Sequence, residues 1–266
     1  MRDKKEVERK EPGGRQMILT SVVLVLLALV SVTAATLAWF SIADHTKLQS
    51  MSMEITTGAS MRFDLDAHGS FDQYVKTLSF EEIAARINQE KGFQVKNVPL
   101  EPVTTSDYST FTLEHGKVVD SREGKYLEFT LHFMALEDMV VHLTSDNSPG
   151  ENDGTKISSS NSGLPEAMRI SFTADGRTVV YDPGMGAGGT SAGSGWVFGL
   201  PSSGGMSYND SNALFSLKKD VDKEVLVHVW LEGTDERCTD NLIGADYSIQ
   251  LRFIGTDENG RILDGE

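Results

Sequence analysis

Several groups in this chain have side chains that could do chemistry. Gly184-Met185-Gly186-Ala187-Gly188-Gly189 matches G-x-G-x-x-G and follows the strand-like run 178–182. That pattern holds a dinucleotide only when a helix opens at its last glycines and points its N-terminus at the phosphates. Gly193, Gly195, Gly199 and Pro201 forbid such a helix, so a nucleotide site is set aside. None of the six histidines forms H-E-x-x-H or another dense ligand spacing. His132 and His142 fall on successive strand candidates, where a hairpin would bring them together as a metal pair; solvent-facing strand positions are the plainer reading. Acidic clusters at Asp64, Asp66 and Asp72, at Asp146 to Asp153, and at Asp257 to Asn259 have the oxygen ligands calcium takes. Their spacing is not that of an EF-hand, and turn-forming Asp and Asn explain the same residues. From these clusters Asp64, Asp66, Asp146, Asp153 and Asp257 are the calcium candidates; no other cofactor is expected.

Nucleophiles are equally sparse. G-x-S-x-G is missing, and the single cysteine, Cys238, allows no intrachain disulfide and reads as a small, partly buried residue. No catalytic residue is assigned, and the chain reads as a non-enzyme. Trp230 lies opposite the valine face of its strand. It is either an exposed surface for a glycan or a partner, or it packs beneath a helix or loop.

These residues need a scaffold, and strict alternation supplies it. In 126–134, Leu127, Phe129, Leu131 and Phe133 share one face; in 224–232, Val225, Val227, Val229 and Leu231 do the same; in 246–255, Tyr247, Ile249, Leu251 and Phe253. Residues 168–173 repeat the pattern, and shorter candidates lie at 51–56, 60–65, 110–114, 117–120, 138–144 and 177–181. Period two with one apolar face predicts half-buried antiparallel strands, and the number of them predicts a mainly β, antiparallel, jelly-roll-like sandwich. One helix is expected at 79–92, with Ser79 and Glu82 as a capping box, an apolar stripe of Phe80, Ile83, Ala84 and Ile87, and Gly92 as its stop. Residues 145–165 and 182–207, the latter with nine glycines, read as polar loops, and 182–207 reads as disordered.

Charge is divided unevenly. The chain carries a net charge of -15, yet residues 1–16 hold six Lys/Arg against four acids. The acidic remainder is repelled by nucleic acid, which is excluded as a partner. From Met17 to Ala43 there is no charged residue. Such a run is long enough to cross a bilayer as an N-terminal hydrophobic helix, and the basic flank before it places residues 1–16 in the cytoplasm. Small residues near its end, Thr36-Leu37-Ala38 among them, also fit a signal-peptide cleavage site. The expected organisation is therefore a charged leader (1–16), a signal peptide or anchor contacting the membrane (17–38) and an extracytoplasmic domain (39–266), at the cell surface or secreted.

The stretch TLAWFSIADHTKLQSMSMEITTG (36–58) resembles the start of the TasA/camelysin class of Firmicutes surface proteins. It has a small-x-Ala site, an aromatic pair ending in Phe, then Ser, Asp and a first strand. The resemblance covers roughly residues 17–60. It implies cleavage by a SipW-type signal peptidase at Thr36 and Ala38, leaving Trp39 or Phe40 near the new N-terminus. It also implies a jelly-roll sandwich that assembles by strand exchange. Residues 227–253 resemble uncharacterised clostridial cell-surface proteins, a likeness that implies no activity.

The sequence therefore reads as an extracytoplasmic structural or adhesive surface protein, a biofilm-matrix fibre subunit. In this reading an N-terminal segment, Ser52–Thr57 above all, completes a neighbour's sheet. The competing readings are a membrane-anchored module that binds glycan or calcium, and an extracellular hydrolase whose site leaves no local pattern.

Overall fold

The computed structural model describes Val22, Val23, Val25 and residues 48–55, 60–97, 100–145, 154–202, 205–242 and 245–263. The chain divides into two compact units, Met1–Asp44 and His45–Glu266. In the first, Val22, Val23 and Val25 are helical and exposed. The rest of the apolar run lies outside the described residues, as do Thr36, Ala38, Trp39 and Phe40. Among the described residues no helix is long and apolar enough to cross a membrane.

The second unit is mainly β. Its strands, in chain order, are β1 (Leu48–Ile55), β2 (Met61–Asp64), β3 (Thr77–Leu78), β4 (Pro102–Val103), β5 (Phe111–Thr112), β6 (Val118–Val119), β7 (Leu127–Ala135) and β8 (Met139–Leu143). They continue with β9 (Lys156–Ser159), β10 (Met168–Ala174), β11 (Arg177–Tyr181), β12 (Gly188–Ala192), β13 (Gly195–Gly199), β14 (Ala213–Leu217), β15 (Lys223–Glu232) and β16 (Tyr247–Thr256). A six-stranded sheet runs β14-β8-β16-β1-β3, with β9 also on β16. An eight-stranded sheet runs β12-β13-β11-β10-β15-β7-β2, with β4 also on β15, and β5 and β6 form a small hairpin of their own.

The inner faces of the two large sheets meet in an aromatic core. Phe133 lies with its ring centroid 5.5 Å from Phe63, 5.4 Å from Phe253 and 5.0 Å from Phe215, and Phe172 is 6.0 Å from Phe253. Phe63, Phe133 and Phe172 belong to the larger sheet, Phe215 and Phe253 to the smaller, so these contacts join the two layers. Rings at such spacings add to the area each one buries.

The helix α1 (Phe80–Lys91) forms as its caps dictate. Ser79 accepts from the Glu82 amide, Glu82 reaches back to the Ser79 amide, and Gly92 ends the helix at φ 82°. Phe80, Ile83 and Ile87 are buried. Arg86 fastens the helix to the chain after β2, donating 2.7 Å to the Leu65 carbonyl and 2.5 Å to Asp66.

Two sequence expectations need correction. The sheets are mixed rather than antiparallel: β1 runs parallel to β16, β13 to β11 and β4 to β15. Side chains alternate with the same period in both kinds of sheet, so periodicity cannot distinguish them. Nor are the two polar stretches wholly loops. The described part of 145–165 contains β9 and the start of the short helix α2 (Gly163–Ala167), and the stretch 182–207 contains β12 and β13. The glycines of that hairpin have structural reasons. A Cβ on Gly199 would fall 1.9 Å from the Gly186 carbonyl oxygen, and one on Gly189 2.5 Å from the Trp196 ring.

Candidate functional site

The first strand of the second unit sits in a slot. β1 is parallel to β16 over Leu48–Ile55, and on its other side Met53 and Glu54 pair with Leu78 and Thr77 of β3. The Ile55 amide adds a bond to the Lys76 carbonyl at 3.1 Å. Its inward side chains, Leu48, Met51, Met53 and Ile55, are buried in the main core. On the outer face Glu54 pairs with Arg252 of β16 at 3.3 Å. Unbranched methionine fills irregular gaps and tolerates repacking. The strand expected at Ser52–Thr57 is thus present as Leu48–Ile55, and Thr57 lies outside the described residues.

The described calcium candidates are occupied by partners from this chain. Asp64 accepts from the Leu65 amide at 2.6 Å and lies 3.2 Å from His68 Nε2. Asp66 is held by Arg86 at 2.5 Å. Asp257 accepts from the amides of Asn259 and Arg261, both at 2.9 Å, and these bonds hold its carboxyl below the usual carboxylate range. Asp146 and Asp153 lie outside the described residues. Among the described residues no group of three or more His, Cys, Asp or Glu side chains is placed to hold a metal ion.

The histidine pair does not form. His132 is on β7 of the larger sheet and His142 on β8 of the smaller, because the chain crosses between layers where a hairpin is expected. His132 Nδ1 instead lies 2.9 Å from Asp222. That carboxylate also accepts 2.6 Å from the Tyr74 hydroxyl, which burial and Asp222 push up to about 12. His142 contacts Asn212 Oδ1 at 2.8 Å and Thr256 Oγ1 at 3.1 Å, and burial lowers its pKa.

Trp230 is not a surface residue. It is 1% exposed, with its Nε1 donating 3.0 Å to Glu232. Phe111, 5.4 Å away, belongs with Val103, Tyr108, Val119 and Tyr126 to a second apolar cluster laid over the outer face of the larger sheet. Alternation assigns Trp230 to that face but carries no information on what covers it.

Beneath the same cover lies a polar row that no local motif announces. Ser171, His228 and Glu128 occupy paired positions on β10, β15 and β7. His228 Nε2 is 3.0 Å from Glu128, and Ser171 Oγ is 3.5 Å from His228 Nδ1. An ionised carboxylate only accepts, so Nε2 carries the hydrogen, and in the neutral ring Nδ1 can accept from the serine. Lys91, at the end of α1, closes the row 2.5 Å from Glu128. The hydrogen bond from His228, then Lys91, pulls the Glu128 pKa down to about 2. Serine, histidine and acid stand here in the order of a nucleophile relay. However, Ser171 is 0% and His228 2% exposed, with the Phe111 ring 5.1 Å from the imidazole. In this arrangement the row ties β10, β15 and β7 to the end of α1 beneath the cover, with its serine and histidine closed off from solvent.

A second ionic knot holds the chain after β15. Arg169 lies 2.5 Å from Asp235 and 3.1 Å from Asp182, and Arg237 grips Asp235 at 2.7 Å. Asp235 is held well below the carboxylate range, mainly by Arg237, while burial raises Asp182. The neighbouring Cys238 is half-buried, and burial raises its thiol pKa, which disfavours the reactive thiolate.

Comparison of the chain with known families, curated proteins and solved structures finds no match.

Proposed function

We propose that this protein is an extracytoplasmic structural subunit, a matrix-fibre or adhesive surface protein that assembles by exchanging β1 between copies. The observation that carries this reading is the slot. β1 is the first described strand, lies between β16, to which it is parallel, and β3, to which it is antiparallel, and presents Leu48, Met51, Met53 and Ile55 to the core. Delivering the same strand to a neighbour's slot leaves every backbone pairing and apolar contact intact while linking copies head to tail. On this reading the apolar run 17–38 acts as a signal peptide removed after Ala38, which frees the segment before β1. The resemblance of residues 17–60 to the TasA/camelysin class, with its SipW-type processing and jelly-roll sandwich, points the same way.

Met53 and Leu251 are register partners, close enough for a disulfide if both become cysteine. In a Cys238→Ser background, Met53→Cys with Leu251→Cys is oxidised after polymerisation and run on a denaturing gel. Strand exchange yields covalent ladders, and protein oxidised beforehand stays monomeric and forms no fibres by electron microscopy. Fibres whose chains run only as monomers after oxidation refute the reading. A protein recovered from membranes with residues 1–38 still attached favours instead the anchored module that binds glycan or calcium.

A further inference from the structure

We propose that the outer edge of β12, which among the described residues pairs only with β13, is a self-association surface, on which a second copy of this chain lays its own β12 antiparallel to make a closed two-fold dimer. The inference is independent of the strand-exchange reading. It starts from how three other sheet edges are managed. β2, at the far end of the same sheet, carries Arg62 and Asp64 and is covered by Val75, whose amide and carbonyl both bond Phe63 at 2.9 Å. In the smaller sheet β3 has only two residues, and β14 runs directly into Lys218 and Lys219. Short length, charge and cover are the usual protections of an edge. β12 has none of them. It has five residues, lies at the end of its sheet and is mostly exposed.

Charge identifies the partner. No charged residue lies between Asp182 and Asp210 in a chain of net charge -15. Two copies approaching through any acidic face repel each other, and through this edge they do not.

The hairpin fixes the geometry. Gly193 and Ser194 form its two-residue turn with Gly193 at φ 55°, so Ala192 and Gly195 are a hydrogen-bonded pair. Alternation from that pair turns the N–H and C=O groups of Gly189 and Ser191 away from β13. The 100–126 segment hydrogen-bonds the hairpin at its turn end, where the Tyr108 hydroxyl donates to the Ala192 carbonyl at 2.8 Å and the Ser194 amide to Ser106 at 3.2 Å. A two-fold axis at Thr190 places Gly189 opposite the second copy's Ser191, each pair exchanging both backbone bonds. The two exposed Thr190 side chains then stand side by side, with Cα atoms about 4.5 Å apart.

The test uses the full chain in mild detergent with Cys238→Ser. Thr190→Cys is expected to form an interchain disulfide at least about 100-fold faster than Ser109→Cys at micromolar protein, since edge pairing raises the local thiol concentration to the millimolar range. Sedimentation should show a dimer that Ser191→Pro, which deletes the outward N–H, and Ser191→Lys both convert to monomer with unchanged monomer unfolding. Three results would each overturn the proposal: a monomer at every concentration, cross-linking no faster than at position 109, or a dimer indifferent to both Ser191 substitutions. Assemblies built by β1 exchange are open-ended and insensitive to Ser191, so the two interfaces separate in the same experiment.

Discussion

The strands β7, β10 and β15 carry two unlike faces. Inward they present Phe129, Leu131, Phe133, Ile170, Phe172, Val225, Val227 and Val229, all within the main core. Outward the same strands present Glu128, Ser171, His228 and Trp230. Both faces are buried, but by different means. The inner face is covered by a second sheet that matches it in apolar character. The outer face is covered by a short segment, and its polar groups are tolerated because each has a partner. Burying an apolar side chain needs only close packing, whereas burying a polar one needs a partner at the right distance. The inner face should therefore respond to changes of volume and the outer face to changes of hydrogen bonding.

The largest effect should come from the inner face. Phe133→Ala removes a ring in contact with Phe63, Phe215 and Phe253, and should cost about 3–5 kcal/mol in urea unfolding. A cost below about 1 kcal/mol would mean the two sheets do not share one core.

On the outer face, His228→Ala strands Glu128 beside Lys91 and should cost about 1–3 kcal/mol. Limited proteolysis should then cut first within 103–126, since the lost imidazole packs against Phe111 and Tyr126 of that segment. If cleavage begins elsewhere, the cover is held by its apolar contacts alone.

Acid should sharpen the contrast. The folded Glu128 carboxyl titrates at about 2 against an ordinary value of 4.5, so its contribution is fully present above pH 4.5 and is lost as the pH falls toward 2. Glu128→Gln should abolish that part of the acid sensitivity, whereas Phe133→Ala should leave it in place. Parallel acid titrations of the three proteins measure this directly.

Ser171→Ala should have the smallest effect, under about 1 kcal/mol, because its contact with His228 is at the outer limit of a hydrogen bond. A loss above about 2 kcal/mol would show that the serine bond is as strong as a buried, well-aligned one.

Much of the scaffold can be read along the chain. The long strands β7, β10, β15 and β16 fall where alternation puts them, and α1 starts and stops at Ser79 and Gly92. β12 and β13 escape that reading because their glycine content resembles a flexible linker. Those glycines instead allow close approach, as where Gly189 lies against the Trp196 ring. The short strands β3 and β4 carry too few residues to show a period. At the candidate site, β1 is legible from the alternation of Met51, Met53 and Ile55. The Ser171–His228–Glu128 row is not, because its members lie far apart in sequence and each stands alone on its strand.

The sequence by itself determined which side chains share a face and where the main strands and the helix form. These follow from local periodicity and capping. Only the tertiary structure decided that β1 runs parallel to β16, that Trp230 lies under a cover, that His132 and His142 sit in different sheets, and that β12 ends its sheet among the described residues. Each of these depends on which distant segments meet, and a pattern of period two is identical whichever neighbour a strand takes.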